Sequence, residues 1–256
     1  MVRQVGVLLA AIALALAGCV GDDERSGASK PELTVSAAAS LKQAFTEYGT
    51  AFPDATARFS FAGSDELAAQ IEKGVKPDVY AAANTKLPDA LFAKGLVEKP
   101  TVFAGNRLVL AVPADGAEVS SLEDLEREGV KVAIGATDVP VGSYTRTVLD
   151  KLPAAERDAI LANVRTEEPD VAGIAGKLTQ GAVDAGFLYA SDVRATDDKL
   201  KAMELPDSLQ PPVAYGAAVV KGAKHPEQAK AFIEGLVDGR GAAALEAAGF
   251  LPPPDR

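Results

Sequence analysis

Small and hydroxyl-bearing residues stand at four places where a predicted strand gives way to a predicted helix. The four stretches read "AAAS-LKQ", "FAGS-DEL", "DVPVGS-YTR" and "EEPD-VAG". The first N–H groups of a helix have no partner within that helix and carry a partial positive charge. Several helix starts directed at one point therefore form an anion site that needs no lysine or arginine. Small residues at these corners would let an oxyanion reach the backbone.

Two serines at these corners have a second interpretation. Ser40 is followed by Gln43 at the spacing of a capping box, and Ser64 stands where an N-cap residue is expected. Capping alone would explain both serines. A hydroxyl that accepts a backbone N–H can still donate its own proton to a ligand, so helix capping and anion binding are compatible roles.

The elements that position these corners follow an alternating pattern. From Glu32 onward, β-rich runs alternate with helical runs, which is typical of an α/β sheet. A chain of 256 residues is long enough for one large domain or two ordinary ones. The predicted strands are "ELTVS", "TARFSF", "PDVYAAA", "NRLVLAVP", "VKVAIGA", "AVDAGFLY" and "PVAYGAAVV", and the main predicted helices are "LKQAFTEYGTAF", "DELAAQIEKG", "KLPDALFAKG", "YTRTVLDKL", "DVAGIAGKLTQG", "HPEQAKAFIEGLV" and "GAAALEAAGF".

The charge balance excludes one class of partner. The chain has 26 Lys and Arg against 36 Asp and Glu, a formal net charge of −10. Nucleic-acid binding is therefore not expected, because it rests on basic patches. The acidic balance does not exclude an anion, since distant carboxylates are screened beyond about 8–10 Å at physiological salt.

The first residues are predicted to be an export signal. "MVRQ" is a positively charged start, and the apolar run "VGVLLAAIALALA" is shorter than the roughly 20 residues of a membrane-spanning helix. We assign residues 1–18 to the signal peptide. The run ends in "LAGC", which resembles the lipobox of bacterial lipoproteins and implies acylation of Cys19. A secretory peptide with a chance cysteine is the alternative. The polar residues that follow read as a tether over residues 19–31.

Six blocks of the sequence, in order, resemble the molybdate-binding proteins of ABC uptake systems. The blocks are "AAASL", "SFAGSDELAAQIEKG", "PDVYAAAN", "DVPVGSY", "EPDV" and "GFLYASD", and the resemblance runs from about Leu33 to Pro252. It implies an α/β, two-lobed periplasmic-binding-protein fold of type II, with an oxyanion in the cleft between the lobes. Molybdate or tungstate would be the ligand, an ABC-transporter permease the partner, and no cofactor or catalytic residue is implied. We expect a monomer outside the cytoplasm, anchored to the membrane through Cys19.

The resemblance also assigns the ligand donors. Ser40 and Ser64 would donate through their hydroxyls, Val141 and Val171 through their backbone N–H groups, and Tyr189 through its phenolic O–H. Without the resemblance, the two valines and the tyrosine would be ordinary apolar residues of a helix start or a core. Gly63 stands where the resemblance implies a second serine, which removes one secondary hydroxyl. Whether the carboxylate of Asp170 or Glu168 joins the ligand shell stays open.

The resemblance divides the chain between the lobes. Lobe 1 is predicted to comprise residues 32–109 and 214–252, and lobe 2 residues 110–213. The chain would cross between them in "RLVLAVP" and "LQPPVAY". Ser40 and Ser64 would then form one wall of the cleft, and Val141, Val171 and Tyr189 the other.

Three other functions are alternatives to molybdate binding. Sulfate or another tetrahedral oxyanion could replace molybdate as the ligand. A serine hydrolase would need a base beside its nucleophile, but the single histidine, His225, reads as a surface residue in "KHPEQ". A cation-binding lipoprotein would have to use carboxylates, and no D-x-D-x-D-G loop is present.

Overall fold

The computed structural model describes residues 30–254, so the predicted signal peptide, the predicted acylation site at Cys19 and most of the predicted tether lie outside the described residues. The described strands are β1 (Glu32–Ala38), β2 (Thr56–Ala62), β3 (Val79–Ala82), β4 (Thr101–Asn106), β5 (Leu108–Pro113), β6 (Val132–Gly135), β7 (Val164–Glu168), β8 (Ala185–Tyr189), β9 (Leu200–Glu204) and β10 (Val213–Val219). The described α-helices are α1 (Lys42–Ala51), α2 (Ser64–Glu72), α3 (Lys86–Ala93), α4 (Pro140–Leu149), α5 (Ala154–Ala162), α6 (Val171–Thr179), α7 (Ala190–Arg194), α8 (Pro226–Val237) and α9 (Arg240–Ala247).

The strands form two five-stranded sheets of the same design. The first has the order β2-β1-β3-β10-β4 and the second the order β7-β6-β8-β5-β9. In each sheet three neighbouring strands are parallel, and the fourth strand in the order, β10 in the first sheet and β5 in the second, runs antiparallel to them and to the edge strand beyond it, β4 or β9. The α/β fold with two lobes predicted from the sequence is confirmed.

The parallel strands at the centre of each sheet are short and apolar. All residues of β3, β6 and β8 are buried, since helices cover both faces of a parallel sheet. Their sequences "VYAA", "VAIG" and "AGFLY" are accordingly continuous apolar runs. Such runs are easily recognised in a sequence, and all three strands were predicted.

The strands that the sequence analysis missed lie at sheet edges. They are β4, at the edge of the first sheet, and β7 and β9, at the two edges of the second. Strands β7 and β9 expose part of their length and read "VRTEE" and "LKAME", with charged residues where a central strand is apolar. Helix α5 was missed as well.

The crossing between the sheets is shorter than predicted. The sequence "NRLVLAVP" was read as one strand, but β4 of the first sheet ends at Asn106 and β5 of the second begins at Leu108. The Asn106 side chain accepts the Arg107 N–H at 2.9 Å and donates to the Ser191 hydroxyl at 2.8 Å. These bonds replace the ladder bonds that are lost where the pairing changes sheets. The chain re-enters the first sheet at Val213, the first residue of β10.

An aromatic cluster holds the helices against the first sheet. Phe232 of α8 has its ring centroid 4.6 Å from that of Tyr48, 5.6 Å from Phe45, 5.3 Å from Phe52 and 6.3 Å from Phe59. The cluster joins α1 and α8 to β2. It therefore fixes α1, and with it the short helical turn that precedes α1, against the core of the first sheet. Among the helices described, none has both the length and the apolar character needed to cross a membrane.

Candidate anion-binding site

A small cavity, partly open to solvent, lies between the two sheets, and its volume is about 20 Å³. It is far smaller than the roughly 300–1,000 Å³ typical of pockets for drug-sized molecules, which indicates a small ligand. All five residues predicted to bind the ligand line it. The complete lining is Ala38, Ala39, Ser40, Ala62, Gly63, Ser64, Ala83, Val139, Pro140, Val141, Pro169, Asp170, Val171 and Tyr189.

Both walls are built at the carboxyl ends of parallel strands. On one wall Ser40 and Ser64 follow β1 and β2 of the first sheet, and on the other Val141 and Val171 follow β6 and β7 of the second. Tyr189 is the last residue of β8. Since the helix after each strand starts at this edge, several helix N-termini meet at one cavity.

Ser40 does not form the predicted capping box. It lies inside a short 3₁₀ turn, Ala39–Leu41, and no side chain caps that turn or α1. The turn places Ser40 after the helical start instead of before it. The buried Ser40 Oγ lies 3.0 Å from the hydroxyl oxygen of Tyr215, and either can donate. When Tyr215 donates, the Ser40 proton is available to the cavity.

Ser64 is the first residue of α2 and not its N-cap, which is Gly63. Its hydroxyl oxygen accepts the Ala83 N–H at 3.1 Å, and its carbonyl accepts the Tyr80 hydroxyl at 2.7 Å. The sequence prediction of an N-cap was therefore wrong by one position. Because the Ser64 oxygen acts as acceptor toward Ala83, its proton is left to donate to another group.

Two glycines bring the start of α4 to the cavity. A Cβ on Gly142 would lie 1.9 Å from the Ala136 carbonyl oxygen, and one on Gly135 would lie 2.6 Å from the Gly142 nitrogen. Both positions therefore have to be glycine for α4 to pack this closely on the end of β6. Pro140 is the first helical residue and has no N–H. Val141 consequently carries the first backbone N–H of the helix.

The start of α6 is organised by Asp170. The Asp170 carboxylate accepts the Gly173 N–H at 2.9 Å and so caps α6. This agrees with the sequence "EEPD-VAG", in which a residue suited to capping stands just before the predicted helix. The Val171 N–H, one residue further, is not taken by this cap. Asp170 also lines the cavity, whereas Glu168 does not. The Glu168 carboxylate accepts the Thr166 hydroxyl and lies 3.8 Å from the Lys177 ammonium nitrogen.

Tyr189 has an unsatisfied hydroxyl. Its side chain is 1% exposed, and within the described part of the chain its hydroxyl has no hydrogen-bond partner. Burial, together with neighbouring Tyr215, Tyr144 and Asp192, raises its pKa well above 10. The hydroxyl therefore stays protonated and remains a donor. An unpaired buried polar group destabilises a fold by about 1–3 kcal/mol, so an acceptor is expected in the cavity.

Two residues that support Tyr189, Asp192 and Tyr215, were not predicted from the sequence. Asp192 accepts the Tyr189 N–H at 3.0 Å, and the Tyr189 ring lies 5.8 Å from that of Tyr215 between centroids. Tyr215 belongs to the first sheet and bonds Ser40. The Asp192 contact is local, three residues along the chain at the start of α7, and is the one a capping pattern could have signalled. The Tyr215 contact joins distant segments, so no sequence motif signals it.

The described residues give no support to hydrolysis or to a cation site. His225 is half-buried before α8 and does not line the cavity. Residues 30–254 contain no group of three or more His, Cys, Asp or Glu side chains placed to hold a metal ion. The cavity lining contains no lysine or arginine. Its polar character comes from hydroxyl groups, the Asp170 carboxylate and the backbone at helix starts.

Residues 33–251 match the family of bacterial extracellular solute-binding proteins. The molybdate-binding protein ModA of Mycobacterium tuberculosis (strain H37Rv) is 33% identical over 255 residues, which cover 94% of this chain and 95% of that protein. YvgL of Bacillus subtilis (strain 168), named as a putative ABC transporter substrate-binding lipoprotein, is 29% identical, and the match covers 98% of this chain and 99% of YvgL. The periplasmic molybdate-binding protein of Azotobacter vinelandii shares the fold, with a TM-score of 0.77 and 21% identity. The match covers 87% of this chain and 100% of that protein.

Asp192→Asn is expected to flatten the pH dependence of stability. Burial raises the pKa of Asp192 from 3.8 to about 7, with Asp170 adding to the rise and the Tyr189 N–H opposing it. Between about pH 4 and pH 7 the Asp192 carboxyl thus keeps its proton in the folded state, whereas in the unfolded state it has lost that proton. Stability should fall as pH rises from 4 to 7, by up to about 4 kcal/mol.

Denaturant unfolding at pH 5 and pH 8 measures this difference, and the amide should stabilise the protein at pH 8. Asp198→Asn is the matched control, because Asp198 is exposed and its positive φ of 62° suits asparagine. Equal pH slopes in the wild type and Asp192→Asn would contradict the prediction.

Proposed function

We infer that this chain, which belongs to the family of bacterial extracellular solute-binding proteins, captures molybdate outside the cytoplasm for uptake by an ABC transporter. The match over residues 33–251 and the 33% identity to a molybdate-binding protein support this function. The structural observation that carries it is the buried, unpartnered Tyr189 hydroxyl in a cavity where helix N-termini meet. The protein is a binding protein and not an enzyme.

The proposed ligands are all hydrogen-bond donors. Ser40, Ser64 and Tyr189 supply hydroxyl protons, and Val141 and Val171 supply backbone N–H groups. Hydrogen bonds from such groups to an anion are shorter and stronger than those between neutral groups. The donors come from neutral groups, so the site holds charge through oriented dipoles.

Donor groups select against anions that retain a proton. Phosphate at neutral pH is mostly protonated once, and its proton would face groups that donate and cannot accept it. A buried unmatched group destabilises the complex by about 1–3 kcal/mol. Asp170 is the one carboxylate in the lining, and its Oδ1 is already occupied by the Gly173 N–H. We propose that it caps α6 and stays out of the ligand shell.

Size separates molybdate from sulfate, which has the same charge and no proton. Metal–oxygen bonds are longer than sulfur–oxygen bonds, and donors fixed on two walls cannot all follow a smaller anion. A hydrogen bond stretched beyond about 3.2 Å is weakened. Several bonds stretched together would lower sulfate affinity, whereas tungstate, nearly the size of molybdate, should bind alike.

Competition calorimetry with molybdate, tungstate and sulfate tests the ligand assignment. We expect molybdate and tungstate to bind with similar affinity and sulfate to bind at least about a hundredfold more weakly, or about 2.7 kcal/mol. The soluble form that begins after Cys19 is the sample. Equal binding of sulfate and molybdate would contradict the size argument and favour a general oxyanion-binding protein.

Tyr189→Phe should separate affinity from stability. Loss of a hydrogen bond to a charged ligand should weaken molybdate binding by roughly 1.5–3 kcal/mol. The same change removes an unpartnered buried hydroxyl, so the ligand-free protein should be as stable as the wild type or more stable. Calorimetry measures the first effect and thermal unfolding the second. A ligand-free protein that is clearly destabilised would show that the hydroxyl has a structural partner instead.

We propose that ligand closes two lobes, residues 32–106 with 213–252 and residues 108–212, which shifts the bounds predicted from the sequence, 109/110 and 213/214, to the ends of the strands in each sheet. The five donors divide between these lobes, so an anion in the cavity contacts both. Such a ligand favours the closed arrangement because it forms all its bonds only there. We propose further that the protein acts as a monomer, since one chain supplies every proposed donor.

A lipid anchor on Cys19 is proposed from the "LAGC" sequence, with the name of the YvgL relative as support. Cys19→Ser should leave molybdate affinity unchanged and release the protein from the membrane, because two acyl chains are needed for stable anchoring. Cell fractionation followed by immunoblotting measures the release. Membrane retention of the Cys19→Ser protein would contradict the anchor without affecting the proposed ligand.

A further inference from the structure

We propose that Gly63 determines how closely the two walls of the site approach each other, and that its missing side chain allows the closed, tight-binding state. The inference rests on the proposed function, since it concerns closure around that ligand. Gly63 is the N-cap of α2, directly before the proposed donor Ser64, and it lines the cavity. It is also where the resemblance led us to expect a serine.

The opposite wall leaves no room for a side chain at this position. A Cβ on Gly63 would lie 2.6 Å from the carbonyl oxygen of Pro169 and 3.7 Å from its carbonyl carbon. Carbon and oxygen normally approach to about 3.3–3.6 Å even in favourable C–H···O contacts. Pro169 follows β7 of the second sheet, so this contact joins the two walls.

The Pro169 carbonyl cannot easily move aside. The preceding residue, Glu168, accepts the Ala136 N–H through its backbone carbonyl at 2.9 Å, and the following residue, Asp170, caps α6. A peptide held on both sides moves with the whole wall. A methyl group at position 63 would therefore hold the walls apart.

The glycine is not required by its own backbone. Gly63 has φ −58° and ψ 137°, a conformation that any residue adopts. On its own wall, the other atom near the added Cβ is Asp65 Oδ1 at 2.9 Å, the end of a side chain that can rotate away. The obstacle that cannot yield belongs to the opposite wall. A substitution at Gly63 should thus act on the closed state and leave the open state almost unchanged.

This placement sets two effects against each other. A serine at position 63 would add a hydroxyl near the anion, but its Cβ would occupy the same forbidden point as that of alanine. Closure strengthens every donor bond at once, whereas the extra hydroxyl adds one bond. We therefore infer that glycine here favours tighter closure over an additional donor.

The test compares Gly63→Ala, Gly63→Ser and the control Gly176→Ala. Gly176 lies in α6, and a Cβ there would meet no atom within 4 Å. Stopped-flow kinetics and calorimetry with molybdate give the rates and affinities, and small-angle scattering gives the contraction on binding. Both Gly63 variants should bind about tenfold more weakly or worse, mainly through faster dissociation. Their contraction should be reduced, while Gly176→Ala should match the wild type.

Thermal unfolding without ligand shows whether each variant is folded, and Gly63→Ala should unfold close to the wild-type temperature. Wild-type affinity and contraction in Gly63→Ala would overturn the inference. Tighter binding by Gly63→Ser than by the wild type would also overturn it, because the hydroxyl would then outweigh closure. Failure of the wild type itself to bind molybdate would instead contradict the proposed ligand.

Discussion

The structure depends on the need to hold a charged oxyanion, largely removed from water, without an opposite charge beside it. Burying an ion is unfavourable unless hydrogen bonds replace its hydration. Within residues 30–254 the cavity lining has neither lysine nor arginine, so the compensation has to come from neutral donors. Helix N-termini are the richest source of such donors, and parallel strands followed by helices place several of them at one edge. The α/β fold of each lobe is thus also the means of building the site.

The same requirement explains why small residues stand where the strands give way to helices around the cavity. Donors on the backbone are useful only when the ligand and the neighbouring segments can approach the chain closely. Gly135 and Gly142 allow α4 to pack onto the end of β6, and Gly63 lies against the Pro169 carbonyl across the cleft. The first two glycines serve the packing within one lobe. Gly63 lies at a contact between the two lobes.

Buried acids and phenols around the cavity do not disturb this arrangement. Burial raises the pKa of Tyr189 and Tyr215 well above 10, so both hydroxyls keep their protons. The raised pKa of Asp192, about 7, means that its carboxyl is partly neutral at physiological pH. The Tyr189 hydroxyl lines the cavity and presents its proton there, whereas the carboxylate of Asp170, also in the described lining, accepts the Gly173 N–H. Distant carboxylates of the chain, whose net charge is −10, are screened beyond about 8–10 Å.

The sequence by itself was sufficient for the α/β class and the helix corners, because helix starts and buried parallel strands leave local patterns. The five residues that meet at the cavity were assigned from the family resemblance, since local patterns alone would have left the two valines and the tyrosine as ordinary apolar residues. Local patterns suggested the Asp170 cap but not the roles of the two serines. Ser40 bonds Tyr215 and Ser64 bonds Ala83, partners from distant segments that no spacing along the chain reveals. The edge strands β7 and β9 were missed since half-exposed strands carry mixed residues. Only the tertiary structure decided that the Tyr189 hydroxyl lacks a partner among the described residues and that Gly63 faces Pro169, because both depend on how the two sheets approach each other.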